Sequence, residues 1–199
     1  MPEETHKTRA EGASMINRAI EIAVKAHEKQ LRKGTEIPYI VHPLSVGIIL
    51  AKGGAPEEVI VAGILHDTIE DTDVTFEEIR EIFGESIANI VKGASESDKS
   101  LPWEERKQHT IDSLASESIE VLLVICADKL DNLRSIASEY QRIGEVVWKR
   151  FRRGKESQFW YYSSVARGLE KKLATSEYRH LAEDLKAEIQ KLFGEKVEG

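Results

Sequence analysis

The chain has 199 residues, 41% of them apolar, and its 28 lysines and arginines against 35 aspartates and glutamates leave a net charge of −7. That length and apolar fraction support one domain with its own core, which excludes bulk disorder and a miniprotein held together by disulfides. The acidic balance argues against nucleic acid gripped over the whole surface, because phosphate neutralisation needs a positive footprint, and no apolar run approaches the roughly 20 residues that span a bilayer.

Residues 1–12 mix acids and bases without the apolar segment of a signal peptide, so residues 1–13 are expected to be a flexible leader and residues 14–199 the domain. Beyond them, apolar residues recur at three- and four-residue spacing, first Ile16, Ile20 and Val24 and later Ile79, Ile82, Phe83, Ile87 and Ile90. Alternation of period two is nearly absent, so the fold class is all-α. The pattern predicts helices at 14–33, 43–53, 56–71, 75–83, 84–95, 102–116, 118–138, 140–152, 155–174 and 176–193. Starts are marked by Pro56 before Glu57 and Glu58, by the capping box Thr75-Phe-Glu-Glu78, and by Pro102 before Glu104 and Glu105. In the last segment Leu181, Leu185, Ile189 and Leu192 form an apolar stripe expected to pack on the domain. The single cysteine, Cys126, sits in the apolar run 121–127 and has no intrachain disulfide partner, which points to a reducing, cytoplasmic setting.

Chemistry concentrates in Leu65-His66-Asp67-Thr68-Ile69-Glu70-Asp71, where four ionisable residues follow an apolar run. On a continuous helix His66, Asp67, Glu70 and Asp71 span an arc of about 140°, so all four can face one side. A solvated helix end with clustered acids is one reading of that arrangement. The other is a divalent metal on His66 and Asp67 beside a carboxylate pair, Glu70 and Asp71, that handles protons. Two further candidates favour the metal: His42, in Tyr39-Ile-Val-His-Pro43, and Asp128, which emerges from run 121–127. Half-buried acids and histidines need partners, and two of each would form a mixed nitrogen and oxygen site suited to manganese, iron or zinc.

With these residues in view, the sequence resembles the HD-domain metal-dependent phosphohydrolases, and more narrowly their alarmone hydrolase branch, the hydrolase domain of the Rel/Spo stringent-response enzymes and the single-domain small alarmone hydrolases. The blocks that carry the resemblance are Arg32-Lys33 leading to Pro38-Tyr39-Ile-Val-His42-Pro43, then His66-Asp67-Thr-Ile-Glu70-Asp71-Thr72, then Asp98-Lys99-Ser-Leu-Pro-Trp-Glu-Glu-Arg106-Lys107, and Ala127-Asp128-Lys129-Leu-Asp-Asn132-Leu-Arg134. They cover most of residues 15–173. The resemblance implies a single HD-domain bundle of about ten helices, with one metal, usually Mn2+, held by His42, His66, Asp67 and Asp128. It implies that Glu70 and Asp71 orient and deprotonate the attacking water, and that Arg32, Lys33, Lys99, Arg106 and Asn132 contact substrate. The small-molecule nucleotide so implied is (p)ppGpp, which loses its 3′-pyrophosphate to leave GDP or GTP.

Two departures bear on the substrate. Asp131 stands where the branch commonly carries tyrosine or histidine, an acid that would repel phosphate, and residues 154–162 lack the Glu-Tyr-Phe pattern of the animal enzymes. They leave room for a nucleotidase or pyrophosphohydrolase acting on another phosphorylated metabolite, or for a nucleotide-binding regulatory module without turnover. His27 reads as a core histidine rather than a ligand, and Phe159, Trp160, Tyr161 and Tyr162 read as core rather than as a base-stacking surface. Arg32 and Lys33 also suit the C-terminus of the first predicted helix. The basic run 149–155 reads as a solvated charge cluster between helices.

Overall fold

The computed structural model describes residues 14–96, 100–194 and 197. Its elements are α1 (Met15–Ala26), α2 (Val41–Lys52), α3 (Glu57–Leu65), α4 (Thr68–Asp71), α5 (Phe76–Phe83), α6 (Glu85–Ala94), α7 (Trp103–Ser113), α8 (Ile119–Ile143), a 3-10 helix (Gly144–Arg150), α9 (Gly154–Leu173) and α10 (Arg179–Phe193). Among the described residues the extended pairing is one isolated bridge, Leu31 with Pro38. The expected leader, residues 1–13, lies outside the described residues, as does Lys99.

Helix α8 is the axis of the fold because it is apolar all round at its start. Every residue from Val121 to Asp128 is buried, which a helix tolerates only when neighbours cover each face. Helices α2, α3, α6, α9 and α10 pack on it, while α1 lies on α3. The apolar stripe of α10, including Leu181, Leu185 and Ile189, is buried against α8 and α9. The capping box at Thr75 forms as read: Thr75 Oγ1 accepts from the Glu78 backbone N–H at 3.2 Å and Glu78 Oε2 accepts from the Thr75 N–H at 2.7 Å.

Close approach of α2 and α3 rests on two glycines. A Cβ on Gly47 would lie 2.6 Å from Cγ1 of Ile64, and one on Gly63 would collide with the Leu50 side chain. The absent side chains let the two backbones draw together, which matters because the histidines of the site sit at the ends of these helices.

Three predicted boundaries are corrected. Helix α1 stops at Ala26 instead of 33, because the chain turns so that the Gln30 carbonyl accepts from the Tyr39 N–H at 2.8 Å and the Arg32 N–H reaches the Ile37 carbonyl at 2.9 Å. Arg32 and Lys33 therefore lie in a loop and not at a helix terminus. The helix predicted over 56–71 divides into α3 and α4, with His66 and Asp67 between them. The break predicted near residue 139 is absent: α8 runs on to Ile143, where Gly144 at φ 60° ends it, and residues 144–150 form a 3-10 helix in place of an α-helix.

Candidate metal centre and active site

Three elements deliver the cluster. His42 is the second residue of α2, His66 and Asp67 occupy the break after α3, and Asp128 lies midway along α8. The break is held open by side chains that cap freed carbonyls: Thr68 Oγ1 donates to the Leu65 carbonyl at 2.7 Å and Ser95 Oγ to the His66 carbonyl at 3.2 Å. Both imidazoles are 2% exposed and Asp128 is 9% exposed, so these polar groups are buried together.

Ligand atoms from His42, His66 and Asp128 all lie within 4.8 Å of one another. Nε2 of His42 is 3.2 Å from Asp128 Oδ1, and Asp67 Oδ2 is 3.5 Å from Nε2 of His42 and 3.0 Å from Nε2 of His66. The tautomers follow from the opposite ring nitrogens. His66 Nδ1 faces the Gly63 carbonyl at 2.8 Å and His42 Nδ1 faces Asp131 Oδ2 at 2.6 Å, and both of those oxygens accept only. Each Nδ1 therefore carries the proton and each Nε2 presents a lone pair to the carboxylates. Despite its 3.0 Å approach to Asp67, His66 Nε2 has no hydrogen-bond partner. With a buried, unpartnered Nε2 on His66 and carboxylate oxygens of Asp67 and Asp128 converging on the two imidazoles, the residues fit a divalent metal, and two neutral imidazoles with two carboxylates would leave it neutral.

Without a cation the cluster gathers protons instead. Burial pushes the His66 imidazolium down, but Asp67 and Asp128 outweigh it and bring its pKa up to about 9. His42 is raised in the same way, against burial, by Asp128 and Asp131. Burial alone would raise Asp67 and Asp128; the imidazole of His66 holds the first well below the usual carboxylate range, and the Lys129 ammonium with both histidines does so for the second. That ammonium sits 2.5 Å from Asp128 Oδ2, the oxygen turned away from the histidines.

A cleft of about 700 Å³ opens beside the cluster, with Tyr39, Asp67, Glu70, Asp71 and Lys129 in its wall. Glu70 Oε2 accepts from the Glu96 backbone N–H at 2.9 Å, and the Asp71 carbonyl accepts from Gln30 Nε2 at 2.7 Å. On the other side of Tyr39 and Asn132, which line both cavities, a smaller cleft of about 160 Å³ holds Arg32, Lys33, Glu139 and Arg150. Lys33 also lines a neighbouring cleft of about 480 Å³ with Arg106, Arg152, Arg153 and Gln158. Arg106 pairs with Glu96 at 2.6 Å, so its guanidinium is already engaged by an acid. Asn132 donates to Asp128 and accepts from Arg32 Nη2 at 3.3 Å.

The pattern that defines the HD domain matches residues 19–152. The chain belongs to the HD-domain family. It is 38% identical over 159 residues to guanosine-3′,5′-bis(diphosphate) 3′-pyrophosphohydrolase MESH1 of Danio rerio, covering 78% of this chain and 84% of that protein. It is 41% identical over 127 residues to guanosine-3′,5′-bis(diphosphate) 3′-pyrophosphohydrolase of Aquifex aeolicus, where the match covers 62% of this chain but spans only 18% of the relative's length. A solved structure, described as a metazoan ortholog of SpoT that hydrolyzes ppGpp and plays a role in starvation responses, superposes with a TM-score of 0.74 at 29% identity, covering 92% of this chain and 97% of that one.

Members of this family depend on a metal, and this HD domain has the cluster to hold one. Several residues of its site carried no role in the sequence reading. Tyr39 Oη donates to Asp67 Oδ2 at 2.6 Å; its place in the Pro38–His42 block was the available signal. Glu96 pairs with Lys107 as well as Arg106, at 2.6 Å each. In the basic run 149–155, read as a solvated cluster, Lys149, Arg152 and Arg153 are exposed, and Arg150, Arg152 and Arg153 border the clefts that Lys33 also lines. Asp131 is not a free acid facing substrate, since its Oδ2 meets both His42 and Arg32. The aromatic run divides: Tyr161 and Tyr162 are buried but line clefts, and Trp160 meets Trp103 at a tilt of 56° with ring centroids 6.1 Å apart. His27 stays outside the cluster, buried against Tyr39 with Nδ1 2.8 Å from Gln30 Oε1.

Proposed function

We propose that this protein is a metal-dependent hydrolase that removes the 3′-pyrophosphate of (p)ppGpp, leaving GDP or GTP, with Mn2+ as its ion and the cytoplasm as its setting. The observation that carries the reading is the junction at Tyr39 and Asn132, where an acid-lined cleft and a cationic cleft meet at the His/Asp cluster. Water and its proton acceptor belong to the first cleft, and an anionic nucleotide to the cationic walls of the second together with the neighbouring cleft that Lys33 also lines. The names of the relatives from Danio rerio and Aquifex aeolicus support the same substrate.

His42, His66, Asp67 and Asp128 would hold the ion, which supplies Lewis-acid stabilisation of phosphoryl charge and water acidified toward neutral pH. The Glu70 and Asp71 pair accepts the proton as the water oxygen bonds to the phosphorus next to the ribose and the P–O3′ bond breaks. The carboxylate pair returns that proton to the departing ribose oxygen, which leaves as a hydroxyl, and pyrophosphate is the second product. Arg32 with Lys33 and the neighbouring arginines offset the charge of the nucleotide, arginine as a fork and lysine as a point charge. Residues 1–13 serve as a leader and 14–199 as the domain. A small nucleotide, not a nucleic acid, is the partner, in keeping with the net charge of −7.

Product analysis tests this reading: ppGpp incubated with the protein and Mn2+ is expected to yield GDP and pyrophosphate, and a chelator to stop the reaction. Intact ppGpp alongside orthophosphate released from a nucleoside monophosphate would overturn the substrate while leaving the metal centre standing.

A further inference from the structure

The two histidines of the cluster are held differently. His66 gives its Nδ1 proton to a neutral backbone carbonyl, that of Gly63, at 2.8 Å. His42 gives its own to a carboxylate, Asp131 Oδ2, at 2.6 Å. Asp131 lies one turn beyond Asp128 on α8, so the helix that carries a candidate ligand oxygen also carries the group behind the opposing imidazole. The Asp131 side chain is 16% exposed, and Arg32 Nη1 lies 3.3 Å from the same Oδ2. Arg32 reaches Asn132 Oδ1 at 3.3 Å with its other nitrogen, and Asn132 donates to Asp128. These bonds form a ring of contacts around His42 that closes on α8.

We propose that Asp131 is a positioning residue for the metal centre, an inference that rests on the reading of His42 as a ligand. Its carboxylate fixes the tautomer in which Nε2 of His42 carries the lone pair, holds the ring toward Asp67 and Asp128, and by its charge makes that nitrogen the better donor to a cation. Because its Oδ2 is taken up by His42 and Arg32, the acid does not face the cleft beyond as an unpaired charge. A histidine held only by a neutral carbonyl, as His66 is, gains orientation without the added basicity. The identity of residue 131 thus sets affinity for the ion and does not read the nucleotide.

Calorimetric titration of Mn2+ into the metal-free full-length chain tests this, with helical content by circular dichroism as the check on folding. Asp131→Ala loses both orientation and charge, and is expected to bind Mn2+ about 100-fold more weakly than the wild type; Asp131→Asn keeps an oxygen for Nδ1 but no charge, and is expected to lose about tenfold. Wild-type affinity in either variant, with helical content intact, overturns the proposal, and Asp131→Asn carries the test alone should the alanine variant not fold. Co2+ in place of Mn2+ adds a signature that a merely structural role would not move: its visible absorption shifts in Asp131→Asn and is unchanged if His42 does not feel the carboxylate. Because these readouts are of metal, the expected order of affinities together with intact ppGpp would count against the substrate alone.

Discussion

The backbone N–H of Glu96 donates to Oε2 of Glu70 over 2.9 Å, fastening the chain after α6 to the acid that faces the cluster. Glu96 is itself held from the other side, since its two carboxylate oxygens take Arg106 and Lys107 at 2.6 Å each. A helix α7 that is polar on most faces is thereby tied to the centre through one carboxylate. Replacing Glu96 by alanine keeps the backbone donor but frees the segment that aims it. Turnover is expected to fall about 10- to 100-fold through misplacement of Glu70, with Mn2+ affinity unchanged; loss of metal alongside turnover would show that Glu96 supports the ligands instead.

Metal and proton transfer are separable by substitution. His66→Ala removes the buried imidazole whose Nε2 has no hydrogen-bond partner, and is expected to abolish bound metal and activity together. Glu70→Gln is expected to retain metal while turnover falls about 10²- to 10⁴-fold, the range for loss of a general base. Metal content by elemental analysis beside initial rates checks both, and full turnover in Glu70→Gln would remove Glu70 from the proton step.

Helix spacing should register at the metal. Gly63→Ala would drive a methyl group into the Leu50 side chain, forcing α2 and α3 apart. Overpacking of this kind costs about 1–3 kcal/mol, which for a chain of this size lowers Tm by about 2–4 °C per kcal/mol. Because His42 and His66 stand at the ends of those helices, Mn2+ affinity is expected to fall in the same variant. A lowered Tm with wild-type metal affinity would mean that the ends are held independently of the helix contact.

Cys126 offers a check on the core itself. It is 0% exposed on α8, and burial, with a smaller contribution from Asp184, raises its thiol to about 12. A raised thiol pKa leaves the protonated form dominant at pH 8, and the thiolate is the reactive species. Native protein is therefore expected to resist alkylation at pH 8 and to be labelled once per chain in denaturant, as read by mass spectrometry. Rapid labelling of native protein would place this stretch of α8 near the surface.

Local signals carried much of this molecule. Three- and four-residue spacing of Ile79, Ile82, Phe83, Ile87 and Ile90, the Thr75 and Glu78 box, and the prolines before α3 and α7 were enough for an all-α fold and for most helix starts, since capping and amphipathicity act within a few residues. His66, Asp67, Glu70 and Asp71 stood out as candidates because they are neighbours in the chain, although the continuous helix expected to align them breaks at His66 and Asp67. What lay beyond reach depends on partners far along the sequence. The end of α1 at Ala26 is decided by backbone bonds to residues 37 and 39, and the gap between α3 and α4 is capped by Ser95, 29 residues away. Asp131 finds His42 across 89 residues and Arg32 across 99, so no spacing rule could tell a free acid from one already bound on both sides. The basic run 149–155 has a composition that suits solvent, and Arg152 and Arg153 are exposed there; that Arg150 shares a cleft with Arg32 and Lys33 depends on where the 3-10 helix packs on α8. Sequence alone determined which residues have the chemistry and which segments coil; the tertiary structure decided which charges meet, because pairing energy depends on distances that only helix packing sets.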